Sequence, residues 1–216
     1  MKQLHFKAIL LFLMSLNLST SYTQNVRKGA VIINPYLGGP NFGFIIGKAV
    51  EDEINSHTTS GHFSTDSGIG PNGIRGEFLI SERLSIGFDY IYNEINGSGY
   101  VDTTINSTVE IKYNINVQSI RHRFLLKANY HFITTGDFNF YGGLGLGLNY
   151  RKINIETNIP KFETNNVRGA IWPISGRMAL GLTYYSIQPL GINFELGLGG
   201  PLVSAGVVLK LNTIKN

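Results

Sequence analysis

His122 is the residue whose type and position come nearest to hydrolytic chemistry. It falls on the apolar face of an alternating segment, and Glu94, just after the preceding segment, could lie above it. A Ser–His–acid site needs a nucleophile within hydrogen-bond reach of the histidine. Ser119 falls on the opposite face, because side chains alternate along a strand. We therefore predict an interfacial histidine and no catalytic residue.

A second group of potential ligands lies in a polar stretch before residue 70. His57 and His62 are close in sequence to Asp52, Glu53 and Asp66, and these residue types can bind metal ions. The composition of a polar connection accounts for them equally well. The chain also has no cysteine, which excludes thiolate sites and disulfides. We predict no metal site and no cofactor.

The stretch from residue 137 to residue 151, DFNFYGGLGLGLNYR, shows the pattern that organises the chain. Its even-numbered positions, among them Leu144, Leu146 and Leu148, are apolar in the middle and aromatic at both ends. The odd positions are mostly glycine and polar residues, and a period of two indicates a β-strand. These glycines precede no helix, which excludes a nucleotide-binding loop. An apolar centre with aromatic ends is typical of a strand that crosses a bilayer.

Seven further segments repeat this alternation. The predicted strands are residues 29–38, 72–80, 84–93, 119–132, 137–151, 172–185, 190–199 and 202–212. An even number of strands is expected of a bacterial barrel. The predicted fold is therefore all-β, an eight-stranded antiparallel up-and-down transmembrane β-barrel preceded by a signal peptide.

The N-terminal residues have the composition of an export signal. Lys2 and Lys7 precede a short apolar core, and small residues follow it. Residues 1–23 are therefore predicted to be a signal peptide. Residues 24–216 form the predicted barrel domain. Export without a helical anchor, together with the strand pattern, predicts the outer membrane of a Gram-negative bacterium.

Short and long connections alternate along the chain. The short ones are residues 81–83, 133–136 and 187–189, and the long ones are residues 39–71, 94–118 and 152–171; the last connection, around 200–201, is also short. Tight periplasmic turns and long external loops characterise outer-membrane barrels, so the N-terminus is placed in the periplasm. This orientation predicts an aromatic girdle of Tyr90, Tyr92, Tyr150 and Trp172 at the outer rim and Tyr130, Phe132, Phe138, Phe140 and Tyr184 at the periplasmic rim.

Two stretches depart from the pattern. The first long connection contains an apolar run from Phe42 to Val50, which either extends the first strand or lies against the outer rim. Near Val117 the alternation changes phase. We predict a bulge or a break there, where the barrel leaves the membrane.

The polar face of the strands carries charges that must be paired or hydrated inside a narrow lumen. The predicted lumen network is Arg75, Glu77, Asp89, Arg121, Arg123, Lys127, Arg177 and Glu195. We expect Glu77, Asp89 and Glu195 to pair with some of the arginines. An eight-stranded barrel is about filled by its own side chains, so the default is a closed lumen.

Alternation alone does not separate a membrane barrel from a soluble one such as a lipocalin, in which the apolar face points inward. Three features favour the membrane: the Gly, Ser and Asn of the polar face, the aromatic strand ends, and the alternating connection lengths. Charged residues make up 15% of the chain, against roughly 25% in an average soluble domain. The net charge of +4, reduced by two without Lys2 and Lys7, is too small to indicate a nucleic-acid partner.

With these strands and a turn such as Phe78-Leu-Ile-Ser-Glu-Arg-Leu-Ser-Ile-Gly-Phe-Asp-Tyr90, the chain resembles the small outer-membrane β-barrels of Gram-negative bacteria, most closely the OmpX/OmpA-type barrel domain common in Bacteroidetes. The resemblance implies insertion by the outer-membrane assembly machinery with periplasmic chaperones. Many such barrels end in an aromatic residue, and this chain ends in Leu209-Lys-Leu-Asn-Thr-Ile-Lys-Asn216 instead.

The function predicted from these features is that of a non-enzymatic, monomeric outer-membrane barrel in contact with outer-membrane lipid and lipopolysaccharide. Its external loops would contact the cell envelope or the surroundings. A narrow channel for small solutes is the first alternative. A lipid A-modifying hydrolase that uses His122 is the second, since some barrels of this kind are lipid A hydrolases.

Overall fold

A computed structural model describes residues 27–57, 61–66, 68–105, 109–134, 136–158, 165–168, 173–187 and 189–212. The predicted signal peptide and Trp172 lie outside these residues. The elements are β1 (Ala30–Gly39), α1 (Phe42–His57), β2 (Gly61–Asp66), β3 (Asn72–Leu79), β4 (Leu84–Ile105), β5 (Val109–Ile133), β6 (Phe138–Thr157), β7 (Asn165–Arg168), β8 (Ile174–Ile187), β9 (Leu190–Leu198) and β10 (Val203–Asn212). No helix in the described part of the chain is long and apolar enough to cross a membrane.

Eight of the strands form a closed antiparallel barrel in the order β1, β3, β4, β5, β6, β8, β9, β10. The first and last strands close it, with Ala30 opposite Asn212 and Gly39 opposite Val203. This confirms the predicted eight-stranded antiparallel barrel. Closure leaves no free edge within the barrel, because every strand has two neighbours.

The apolar face of the barrel points outward and the charged face points inward. Leu126 and Leu146 are 77% and 70% exposed, whereas Arg75 and Asp89 are 0% and 1% exposed. A soluble carrier would show the reverse arrangement, so the lipocalin alternative is excluded. The exposed aliphatic band is stable only against hydrocarbon, because apolar surface in water is unfavourable.

The three long connections are more ordered than the sequence predicted. Residues 94–118 form most of a hairpin, because β4 continues to Ile105 and β5 begins at Val109. β2 and β7 add to the outer halves of β4 and β6. We call the end of the barrel where β4, β5 and β6 rise above the other strands the extended end, and the opposite end the turn end.

The predicted bulge near Val117 is wrong. β5 pairs without a register shift from Val109 to Tyr130 against β4, and its first shift against β6 comes between His131 and Ile133. What changes near Val117 is the polarity of the two faces. Asn114 and Asn116 point outward and are exposed, while Ile115 and Val117 are half-buried on the inward face. The strand keeps its geometry, and its outward face changes from apolar to polar while its inward face changes from polar to apolar.

The apolar run from Phe42 to Val50 does not extend the first strand, as one of the two predicted alternatives had it, but forms the first half of α1. The helix begins after Asn41, whose carbonyl accepts the first helical hydrogen bond from Ile45. α1 packs beside β2, which pairs with β4 on one side only. On its other side, the Asn55 amide bonds both the N–H and the C=O of Phe63, at 2.9 Å each. The helix therefore covers a strand edge that would otherwise be free.

Candidate functional site in the barrel lumen

The centre of the lumen holds a buried cluster of ions contributed by five strands. The Glu195 carboxylate lies 2.6 Å from Arg177 Nη2, 3.1 Å from Arg75 Nη2 and 3.4 Å from Lys127 Nζ. Asp89 Oδ2 lies 3.5 Å from Arg75 Nε and 3.6 Å from Arg177 Nε. Three cations thus surround two carboxylates. Buried ions persist only with close partners, and here each guanidinium meets both acids.

Neutral polar groups complete the cluster. Tyr36 donates to Asp89 Oδ1 at 2.8 Å, and Tyr141 donates to Glu195 Oε2 at 2.9 Å. Arg75 reaches Ser204 at 2.8 Å and Asn193 at 3.3 Å, and its guanidinium stacks 3.6 Å above the Tyr36 ring. Sequence reasoning did not select these residues. The signal was present, since all of them fall on the inward phase of their strands.

Space for the Tyr141 ring is provided by a glycine on the neighbouring strand. Tyr141 lies opposite Gly181 in the pairing of β6 with β8. A Cβ added at Gly181 would fall onto the phenol of Tyr141. Glycine on the inward face therefore reflects the volume of large lumen side chains.

Glu77 does not pair with an arginine among the described residues, contrary to the expectation. Its Oε2 accepts a hydrogen bond from Ser85 at 3.1 Å, nearer the turn end. Ser85 also lies 3.0 Å from His131 Nε2, and His131 Nδ1 lies 2.9 Å from Asn139. This is a second polar network, placed below the ion cluster.

Arg121 and Arg123 lie at the extended end of the lumen. Arg121 donates to Asn149 Oδ1 at 2.7 Å, and Arg123 donates through Nη1 to the carbonyl of Gly199. Neither guanidinium lies within 4 Å of a carboxylate among the described residues. The same holds for Arg151, which pairs with Arg121 across β5 and β6. Within the described part of the chain, the lumen mouth therefore carries positive charge without a counter-ion.

The residues of the predicted aromatic girdle lie on the outward face wherever they are described. Near the turn end, the Phe132 ring centre lies 5.2 Å from Tyr130 and 5.5 Å from Phe140, and Phe138 lies 5.0 Å from Tyr184. Near the extended end, Tyr90 contacts Phe124, with ring centres 4.9 Å apart. Tyr92 and Tyr150 flank His122 there.

His122 lies within this second ring of aromatics. Its Nδ1 lies 2.9 Å from the Tyr90 hydroxyl, and no serine among the described residues is hydrogen-bonded to it. Glu94 is bonded to Tyr92 at 2.7 Å and to Gln118 at 2.9 Å, so it orients no histidine. These hydrogen bonds hold the pKa of Glu94 below its usual range, with that from Tyr92 the largest contribution. Among the described residues no three acidic or histidine side chains are grouped to hold a metal ion.

Above this ring, the outward face becomes rich in amides. Asn96, Gln118 and Asn154 lie side by side on β4, β5 and β6. Asn154 donates to Gln118 at 2.9 Å. These residues line a surface cavity of about 340 Å³ that also includes Asp66 and Glu156. Amide and carboxylate side chains at this level suit contact with water or with a polar partner.

A closed barrel with aliphatic side chains outside, aromatics near both ends of the band and ions inside is a transmembrane β-barrel of the outer-membrane type. No family model matches the chain, and no curated protein matches it.

Solved outer-membrane barrels are similar to it. The N-terminal β-barrel domain of Pseudomonas aeruginosa OprF is 15% identical over 85% of this chain and 98% of that chain, with a TM-score of 0.42. The outer membrane protein OprG from Pseudomonas aeruginosa is 13% identical over 88% and 99%, with a TM-score of 0.43. Ail of Yersinia pestis, in complex with the heparin analogue sucrose octasulfate, is 9% identical over 85% and 95%, with a TM-score of 0.41. The likeness is one of overall architecture.

Proposed function

We propose that this protein is a non-enzymatic outer-membrane barrel whose lumen is closed and whose extended end is an extracellular interaction surface. The inversion of polarity along β5 carries the proposal. The outward residues Phe124 and Leu126 suit lipid, whereas Asn114 and Asn116, on the same face of the same strand, suit water. A strand that continues in register beyond the membrane presents an ordered surface rather than a flexible loop.

The closed lumen is supported by the ion cluster. The lumen is crossed by the buried side chains of Arg75, Arg177 and Glu195. These side chains fill the part of the lumen that lies between the two aromatic girdles. All eight barrel strands come from one chain, which supports a monomer. Outer-membrane lipid and lipopolysaccharide would surround the aliphatic band. Folding would use the outer-membrane assembly machinery and periplasmic chaperones.

The location is tested by cell fractionation and by heat-modifiable migration on a gel. We expect the protein in the outer-membrane fraction, running differently before and after boiling. We also expect protease added to whole cells to reach the hairpin of β4 and β5 and not the turn between β3 and β4. Cleavage only at the turn between β3 and β4 would indicate the opposite orientation in the membrane and contradict the proposal.

A narrow channel is the second candidate, because a cavity of about 310 Å³ opens at the lumen mouth beside Arg121 and Arg123. Planar-bilayer recording separates the two. A closed barrel gives no steady single-channel steps, whereas a channel gives them in the wild type. Arg177→Ala provides the matched comparison, since loss of a side chain that crosses the lumen should increase any leak. For the enzymatic alternative, a change of lipid A in cells lacking the gene would contradict the proposal.

A further inference from the structure

The mouth of the lumen places like charges face to face. Arg121 on β5 lies directly opposite Arg151 on β6, and Arg123 follows two residues along on the same inward face. Like charges directly opposite on neighbouring strands destabilise a sheet. Three arginines would not be expected here unless something offsets their repulsion.

The described part of the chain supplies no anion to offset it. Asp89 and Glu195 are both engaged by Arg75 and Arg177, deeper in the lumen. Glu94 follows Asn93, the residue opposite Arg121, but it points to the outward face, where Tyr92 and Gln118 bond it. Among the described residues no carboxylate lies within ion-pair distance of the three mouth arginines.

Two of these guanidiniums also have unused donors. The Nε atoms of Arg123 and Arg151 are buried and have no hydrogen-bond partner. The Arg123 residue is only 6% exposed, and its remaining bond goes to a backbone carbonyl. A buried donor without an acceptor is unfavourable, and more so when it is charged, so an external acceptor would be bound favourably.

A cavity of suitable size adjoins two of the three arginines, Arg121 and Arg123. It has a volume of about 310 Å³ and is lined by Arg121 and Arg123 together with Asn93 and Ser175. Guanidinium groups bind oxyanions through two parallel N–H bonds, which a spherical ion such as chloride does not accept. We propose that the lumen mouth binds a phosphate-type oxyanion, either inorganic phosphate or a phosphate monoester in solution.

The soluble source is favoured by the direction of the side chains. Arg121 and Arg123 lie on the inward phase of β5, so the barrel wall separates them from the surrounding lipid. A lipid headgroup would have to cross the rim to reach them. This site is independent of the proposed surface function, because it lies on the opposite face of the same strands.

The test is unfolding of the purified full chain in a nonionic, phosphate-free detergent, with inorganic phosphate or chloride at equal ionic strength. We expect phosphate to raise the unfolding midpoint in a saturable manner and chloride to leave it unchanged. Arg121→Gln should weaken the apparent phosphate affinity about tenfold or more. Arg121→Lys keeps the charge but loses the paired N–H bonds, and it should retain only part of the response.

Lys152→Gln is the matched control, because Lys152 follows Arg151 on β6 and points to the outer face. It removes the same charge and should leave the phosphate response intact. Arg151→Gln removes the like charge opposite Arg121, so it should raise the midpoint in chloride and reduce the gain from phosphate. Heat-modifiable migration verifies that each variant is folded.

Three results would overturn the proposal. The first is equal unfolding midpoints of the wild type in phosphate and in chloride. The second is an equal loss of the phosphate response in Lys152→Gln and Arg121→Gln. The third is stabilisation by vesicles that contain a phosphate-bearing lipid but not by free phosphate. The last result would assign the effect to a headgroup outside the barrel wall.

Discussion

Glu195 and Arg177 form the shortest ion pair among the described residues of the lumen, with 2.6 Å between Oε1 and Nη2. They lie on the neighbouring strands β9 and β8 but are not directly opposite, since Gly181 is the direct partner of Glu195. The same oxygen also lies 3.1 Å from Arg75 Nη2, on the far side of the barrel. One carboxylate therefore ties three segments of the wall together. Removing it would leave buried cations without compensation.

Glu195→Gln should destabilise the folded barrel by about 3–5 kcal/mol, because Arg75, Arg177 and Lys127 would lose a common counter-ion. Urea unfolding in detergent micelles measures the change. Glu156→Gln removes an exposed carboxylate of the extended end and should be nearly neutral. Equal stability of the two variants would show that the cluster contributes little to the fold.

Leu146→Arg should cost about 2–4 kcal/mol of insertion free energy, because Leu146 points outward in the middle of the aliphatic band. Gly145→Ser, on the inward face, should cost less. A Cβ at Gly145 would lie 3.3 Å from Lys127 Cγ, a flexible side chain that can shift. Reversible folding into lipid vesicles measures both. Similar costs at the two positions would contradict the assignment of faces.

Asn55→Ala should open the edge of β2, because the Asn55 amide makes both backbone hydrogen bonds of Phe63. Hydrogen exchange at the Phe63 amide should become at least several-fold faster, in line with about 1–3 kcal/mol for a lost buried partner. Ser56→Ala, on an exposed position of the same helix, is the control. Unchanged exchange in Asn55→Ala would mean that packing alone holds α1 against β2.

The contact between α1 and β2 should weaken in acid. Hydrogen bonds from Lys48 and from the Thr65 N–H hold the pKa of Glu51 below its usual value of 4.5. A carboxylate with a lowered pKa contributes stability above pH 4.5 that is lost as the pH falls through its folded value. Protection of the Thr65 amide, corrected for intrinsic exchange, should therefore fall below about pH 4.5. In Glu51→Gln this protection should be lower at neutral pH and should vary little with acid.

Continuous register through Val117 predicts a regular labelling pattern, and the absence of native cysteine makes single-cysteine scanning direct. Cysteine at positions 112, 114 and 116 should react rapidly with a water-soluble maleimide, since these side chains are exposed. Cysteine at positions 113, 115 and 117 should react more slowly. Reversal of the pattern within this stretch would indicate the bulge that the continuous pairing excludes.

The number of barrel strands was predictable from the sequence, and so was the face of each residue within the eight predicted strands. Leu146 and Gly145 fall on opposite faces because alternation is a property of one extended strand, and the bilayer requires an apolar outer face along its whole thickness. The same alternation identified Arg75, Asp89 and Glu195 as inward residues. It did not show that Asp89 and Glu195 pair with arginines whereas Glu77 bonds Ser85.

The contacts within the lumen depend on the tertiary structure. Arg75 meets Glu195 because barrel closure and strand stagger bring distant strands to the same level, and no local pattern encodes that level. The bulge near Val117 was predicted wrongly for a related reason. A change in the surroundings of a regular strand and a bulge produce the same shift in the sequence pattern, and only the pairing of β5 distinguishes them. The hydrogen bonds between the Asn55 amide and the Phe63 backbone were likewise not predictable, because they form only when α1 and the edge of β2 lie side by side. Within the eight predicted strands, the sequence by itself determined which side of the wall each side chain occupies, because that is set locally by the period of two. Only the three-dimensional register decided which partners meet across the lumen and that β5 continues without a break past Val117.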